Sequence, residues 1–295
     1  MLPHAPFSVI IPTLASAQRA EPLQRAIGSI RLASREAVPI LVVVNGPHFD
    51  PALCQWLLAQ PDVRFQYQSV PSSPLAVWRG RQAVRTAFFA TLDDDDELLP
   101  GALDARAAVL AHNDTLDLVV GNGFRHRQGA DHLWQSDLSC VSQTPLAALM
   151  AFNWLSSCNA LYRSSSVGEA YFQNPPPFAE WTWLAFRLGM DQRRIGTLNT
   201  PGFRCHDTTG SLSKSGAYQQ ALIPLLDRML ACQPPAEIAR QLQRKRGAAW
   251  HDASVLAWQA GQRREAFSCH AHSLLHPGGL RYLSYTRHLL RGAWG

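Results

Sequence analysis

The stretch "FFATLDDDDELLPG", residues 88–101, decides how this chain is read. An apolar run with the look of a β-strand ends in five consecutive acids, Asp93 to Glu97, in a chain with only 22 acidic residues in all. Carboxylates about 5 Å apart repel by roughly 3 kcal/mol per pair at an effective dielectric near 20. A solvated loop or a helix start, where aspartate is favourable, spreads that cost out. The mouth of a buried strand needs a cation instead. Carboxylates one residue apart at a strand's carboxyl end can hold a hard divalent ion, Mn2+ or Mg2+, bridged to substrate phosphates.

The residues before the run give it a setting. "FSVIIPT" (7–13) is a short apolar strand, and "AEPLQRAIGSIRLAS" (20–34) is a helix with Leu23, Ile27 and Ile30 on one face. "VPILVVVNGP" (38–47) is a near-continuous β-branched run, as expected of a strand buried on both faces. Helix 51–60, strand 63–70 and helix 75–87 lead to the strand at 88–92. This alternation predicts an α/β fold with a mostly parallel central sheet flanked by helices. Ligands of such sheets collect beyond the carboxyl ends of the strands, where Thr13, Asn45 and the aspartates all fall.

Beyond residue 100 the pattern loosens. A helix over 100–113 and a strand over 116–122 precede a polar stretch reaching about residue 142. Further helices are expected at "PLAALMAFNW" and, past Pro175-Pro176-Pro177, at "FAEWTWLAFRLG" (178–189), with strand-like "RIGTLN" before residues 201–215. The tail reads as two antiparallel helices joined at Gly261.

Of 295 residues, 46% are hydrophobic and 17% charged, which describes a globular chain and excludes a disordered one. The net charge of +5 is uneven: residues 1–215 carry 17 basic and 18 acidic side chains, residues 216–295 ten and four. The basic, aromatic tail, "GGLRYLSYTRHLLRGAWG" included, either lies on an anionic membrane surface or packs as a plain helix with solvated arginines. No nucleic-acid-binding motif accompanies the charge. The six cysteines form no C-x-x-C pair and read as reduced thiols of a cytoplasmic protein, peripheral on the inner face of the membrane if the tail binds there. The N-terminal apolar run lacks a preceding Lys or Arg and is interrupted by Pro12, so it reads as a strand and not a signal peptide. Cys269, His272 and His276 share a helical face, but three ligands on one helix cannot easily surround a tetrahedral zinc ion, and they read as a polar helix face.

"SVIIPT", "ILVVVNG", "FFATLDDDDELLPGAL", "FAEWTWLAFRL" and "FRCHDTTGSLSKS", in that order and spacing, resemble a family 2 glycosyltransferase of the nucleotide-diphospho-sugar transferase (GT-A) fold. The resemblance covers roughly residues 7–215 and implies a GT-A domain over 1–215 with a basic helical extension over 216–295. It places Pro12, Thr13 and Asn45 against the nucleotide. Asp93 and Asp95 become a D-x-D pair, with Asp95 a direct metal ligand and Asp93 or Asp94 toward the ribose. Asp96 and Glu97 are left as helix-start groups or as groups that support the metal ligands from behind. Arg79 or Arg81 would supply a phosphate cation, His206 would complete the metal site or touch the diphosphate, and Ser211 and Ser213 would sit in a loop over the nucleotide. Glu180 would be the base that deprotonates the acceptor hydroxyl. Trp181 and Trp183 either stack on an acceptor sugar or pack in the core.

Four positions depart from the family pattern. Val44 stands where an Asp reads uracil, Val77 and Trp78 replace an Arg-Asn pair, and Trp181 replaces an Asp beside the base. The implied activity is inverting, metal-dependent transfer from a nucleotide-sugar, a UDP-sugar first among them, to a saccharide or lipid-linked acceptor. The departures keep a non-catalytic sugar-nucleotide binder in view. A phosphohydrolase of the haloacid-dehalogenase type also places D-x-D after a strand, but near its N-terminus and with Thr or Val where Glu97 stands here.

Overall fold

The computed structural model describes residues 6–207 and 216–293. The chain divides into two compact units, Met1–Pro175 with Glu180–Thr209, and Pro176–Ala179 with Gly210–Gly295.

The first unit is built on one nine-stranded sheet. Strands β1 (Phe7–Thr13), β2 (Ile40–Asn45), β3 (Val63–Gln68) and β4 (Phe88–Thr91) lie side by side in the order β3-β2-β1-β4, all parallel. All residues of β1, β2 and β4 are buried, which is why their sequences are apolar without alternation. Helix α1 (Ala20–Leu32) buries Leu23, Ala26, Ile27 and Ile30, one stripe at helical spacing, in the same core as Val9, Ile11, Val42 and Val44. Helix α2 (Pro51–Leu58) starts at Asp50, whose carboxylate accepts from the Ala52 amide at 2.8 Å. On the opposite face, α3 (Ser73–Ala83) lies so close to β1 that a Cβ on Gly80 would come 2.4 Å from Ile10 Cγ2.

The chain leaves β1 toward β2 and β3 on one side, then returns to place β4 on the other. That reversal makes the β1/β4 boundary the sheet's topological switch point, and the acidic run begins two residues past β4.

Past β4 the sheet becomes mixed. A two-residue strand β5 (Glu97–Leu98) precedes α4 (Ala102–His112), followed by β6 (Leu118–Arg127), the hairpin strand β7 (Ala130–Leu133), short helices α5 (Ser139–Gln143) and α6 (Pro145–Ala151), β8 (Ala160–Arg163), α7 (Glu180–Met190) and the long β9 (Ile195–His206). β8 runs antiparallel to both β4 and β6, β9 parallel to β6, and β5 antiparallel to the end of β9. Of the two alternatives for Asp96 and Glu97 the helix start is excluded, and the strand expected over 116–122 runs on to Arg127. Asp96 and Glu97 do not start a helix: Glu97 and Leu98 pair with Arg204 and Phe203, and the helix begins only after Gly101. The polar stretch before residue 142 holds the end of β6 and all of β7, polar because β7 is exposed throughout. In both places pairing with a distant strand overrides a local signal.

The second unit is helical: α8 (Gly216–Ala231), α9 (Ala236–Gln259), α10 (Arg263–Leu274) and α11 (Leu283–Ala293). The turn between α9 and α10 falls at Gly261, whose φ of +77° suits glycine. Ala257, Ala266 and Leu289 form a small core with Trp258, Phe267 and Tyr285. The face expected to be polar is partly buried. Cys269 and His270 face inward, and the exposed His272 stacks on Trp250 at 4.7 Å. Among the described residues these groups do not converge on a metal point.

Candidate active site

At the switch point the end of β1 meets the acidic run directly. The Thr13 hydroxyl donates to Asp94 Oδ2 at 2.6 Å and accepts from the Ala15 amide at 2.9 Å. Asn45, at the end of β2, donates from Nδ2 to the Thr13 carbonyl at 2.9 Å. Thr13 and Asn45 are each 3% exposed, so they brace the strand ends against one another. Pro12 is buried within β1.

The cations facing the run are arginines that the sequence pattern did not single out. Arg19, in the turn before α1, donates from Nη1 to Asp94 Oδ1 at 3.0 Å and to Asp95 Oδ2 at 2.8 Å. Arg25, one and a half turns into α1, donates to the Asp95 carbonyl at 3.1 Å and pairs with Glu97 at 3.3 Å. The signal available in sequence was the placement of two basic residues just after the first strand, next to a strand ending in acids. The strand order needed to use it was not.

The five acids divide by environment. Asp94 and Asp96 are buried, and burial raises the affinity of both for a proton, Asp96 to a pKa of about 7. Asp93 is pushed well up, first by burial and then by its neighbour Asp96. Asp95 keeps 18% of its side chain exposed beside Arg19. Glu97 takes His206 Nε2 at 2.6 Å, and the His206 amide donates to Asp96 Oδ1 at 3.0 Å. His206 therefore belongs to the site through Glu97 and Asp96. The donor atoms of Asp93, Asp95 and His206 do not converge on one point.

Arg79 and Arg81 separate cleanly. Arg81 is buried, donates to the carbonyls of Ser164 and Val167, and lies 4.5 Å from the Phe89 ring, so it holds the fold together. Arg79 is exposed and lines a cavity of about 650 Å³ with Val43, Leu75 and Gln66 to Val70. That cavity takes in the carboxyl end of β3, on the side where a parallel sheet binds ligands.

Glu180 begins α7. It lines a second, smaller cavity with Val77, Tyr171, Phe172, Trp181 and Leu184, and its Oε2 is buried without a hydrogen-bond partner. Burial raises its pKa. Trp181 borders this cavity, and Trp183 is buried and stacked on Phe186. Ser211 and Ser213 lie outside the described residues.

The α/β fold, a mixed sheet flanked by helices, resembles that of TarS, a GT-A-type glycosyltransferase. Among solved structures, the chain resembles S. aureus TarS 1–349 in complex with UDP-GlcNAc, at 13% identity and a TM-score of 0.61, over 91% of this chain and 80% of that one. It also resembles TarS 1–349 in complex with UDP, at 13% identity and a TM-score of 0.54, over 80% of this chain and 69% of that one. No protein-family model and no curated protein sequence matches the chain.

Proposed function

We propose that the chain is a metal-dependent, inverting glycosyltransferase that moves a sugar from a nucleotide-diphosphate donor, a UDP-sugar first among them, to a hydroxyl of a saccharide or lipid-linked acceptor. The observation that carries the reading is the junction of Thr13, Arg19, Asp94 and Asp95 at the switch point of the sheet. The fold that contains it is shared with a protein crystallised with UDP and UDP-GlcNAc.

A Mn2+ or Mg2+ ion suits this place because the available donors are carboxylate oxygens. Asp95 shares Arg19 with Asp94 but reaches solvent, while Asp94 is buried and also held by Thr13, and Asp96 is buried. Asp95 would hold the ion, with donor phosphates and water completing its shell, and the ion would offset charge on the departing diphosphate. The cavity beside Arg79 would take the nucleoside, with the guanidinium near its phosphates. Glu180 would accept the acceptor's hydroxyl proton as that oxygen bonds to the anomeric carbon. The bond from that carbon to the diphosphate oxygen would break as the new one forms, its electron pair leaving with the nucleoside diphosphate. Burial raises the pKa of Glu180, which strengthens its carboxylate as a base.

The helical unit fits an anionic membrane surface. Leu275, Leu280, Leu283 and Leu290 are exposed on it, together with Arg281 and Arg287. Among the described residues no helix is long and apolar enough to cross a membrane. Sedimentation with anionic vesicles but not neutral ones is the expected behaviour, and equal partition between the two would remove this part of the reading.

A panel of nucleotide sugars, scored by metal-dependent thermal stabilisation and donor hydrolysis, tests the main reading. At least one UDP-sugar is expected to stabilise the protein with Mn2+ and to be hydrolysed, and Asp95→Ala is expected to lose both responses. No response to any nucleotide sugar would refute it. Stabilisation without turnover in the unaltered protein would favour the non-catalytic binder that Val44, Val77, Trp78 and Trp181 suggest.

A further inference from the structure

One member of the acidic run, Asp96, belongs to a second cluster that the transfer chemistry does not use. Cys158, just before β8, and Cys205, near the end of β9, are free thiols whose sulfurs are 3.2 Å apart. The Asp96 carboxylate joins them, and the three donor atoms lie within 4.8 Å of one another. Among the described residues this is the one place where three such donors converge. Asp96 and Cys158 are buried and Cys205 is half-buried, which leaves an approach through Cys205.

We propose that Asp96, Cys158 and Cys205 form a binding site for a thiophilic divalent ion of the zinc class, separate from the diphosphate-metal position at Asp95.

Three features carry this. The first is the donor set: two sulfurs and a carboxylate oxygen suit zinc and are a poor match for Mg2+ or Mn2+. The second is distance. With zinc–sulfur bonds of about 2.3 Å, a tetrahedral ion holds its sulfurs about 3.8 Å apart, so the pair need open by only ~0.6 Å. A disulfide, with a bond of about 2.05 Å, would require them to close by roughly twice that. The third is charge. Arg106, on α4, is 1% exposed and donates from Nη1 to the Cys158 carbonyl at 3.2 Å, while its Nη2 has no hydrogen-bond partner. Its guanidinium is wedged in so tightly that a Cβ on Gly121 or Gly202 would come within 3.0 or 3.1 Å of it. A divalent ion with two thiolates and one carboxylate carries a net charge of −1. The buried guanidinium beside it brings the group to neutrality, as a buried site requires.

The surroundings orient the ligands. The His206 amide holds Asp96 Oδ1, and the Ser156 hydroxyl lies 3.5 Å from the Cys158 sulfur. Such contacts fix ligand direction in metal sites. An ion here would tie the start of β8 to the end of β9, through residues next in sequence to the Glu97–His206 pair.

The test is titration of the reduced, metal-free full-length protein with Co2+, which reports its own ligands spectroscopically. One equivalent is expected to bind with sulfur-to-cobalt charge-transfer absorption and the visible bands of a tetrahedral ion, and one equivalent of Zn2+ should displace it. Cys158→Ser and Cys205→Ser should each lose the charge-transfer band and at least tenfold in affinity, whereas Asp95→Asn should keep both. The unaltered protein is decisive even if a serine variant fails to fold. Absence of the band while both thiols react with a thiol reagent would overturn the proposal. So would a thiol count that falls by two under a mild disulfide oxidant in metal-free buffer with zinc giving no protection. Because Asp95→Ala and nucleotide-sugar hydrolysis report on the other position, failure here and failure of the transferase reading are distinguishable.

Discussion

Replacing Arg19 by Gln removes the cation that holds two members of the acidic run. The contacts to Asp94 and Asp95 are 3.0 and 2.8 Å long, and bare attraction at that range with an effective dielectric near 20 would be roughly 6 kcal/mol each. Most of that is cancelled. The Arg19 side chain is 38% exposed, close to the regime where measured pairs contribute about 0.2–1 kcal/mol. The carboxylates are less exposed, 11% and 18%, and removing a buried pair's partner costs about 3–5 kcal/mol. A net loss of about 2 kcal/mol lies between these limits, and at roughly 2–4 °C per kcal/mol it lowers Tm by about 4–8 °C. The sign with pH follows from the carboxylates: Arg19 stabilises them only when they are ionised. The difference between Arg19→Gln and the unaltered protein should therefore be largest at neutral pH and shrink as acid protonates Asp94, whose pKa burial already raises. Differential scanning fluorimetry across pH, in metal-free buffer, measures it. A Tm within about 1 °C of the unaltered protein at neutral pH, or a deficit that grows toward acid, would refute the claim that Arg19 relieves repulsion in the run.

Other expectations follow from single contacts. Thr13→Val leaves Asp94 without its 2.6 Å donor and the Ala15 amide without its acceptor, so a loss of about 1–3 kcal/mol is expected in chemical denaturation. Gly80→Ala places a methyl 2.4 Å from Ile10 Cγ2 and should cost about 1–3 kcal/mol by forcing α3 away from β1, with a lowered Tm as the readout. Glu180→Gln should abolish transfer while preserving donor binding measured by calorimetry. Because the folded protein raises the pKa of Glu180, its carboxyl favours the fold below the ordinary glutamate range and loses that effect as pH rises through the folded value. The variant should flatten that decline in a pH series of melting curves.

Much of this architecture was legible in the chain's local pattern. The apolar runs at β1, β2 and β4 announced buried parallel strands, because a strand covered on both faces is apolar at successive positions and keeps polar side chains such as Thr13, Asn45 and Thr91 to its end. The helical stripe of Leu23, Ile27 and Ile30 and the turn at Gly261 were equally plain. So was the location of the acids at a strand's carboxyl end, and with it the neighbourhood of Thr13 and Asn45. The short strand at Glu97–Leu98 was hidden because "DELLPGAL" has the local chemistry of a helix start, and only its partner strand, more than a hundred residues later, makes it a strand.

Sequence alone therefore determined which segments are buried and where chemistry gathers, since both depend on neighbours a few residues apart. Tertiary structure decided what meets what. Arg19 reaches Asp94 across 75 positions, the His206 amide reaches Asp96 across 110, and Cys158 meets Cys205 across 47. Each of those meetings depends on strand order and register, which are set by packing of the whole sheet and leave no periodic trace in the chain.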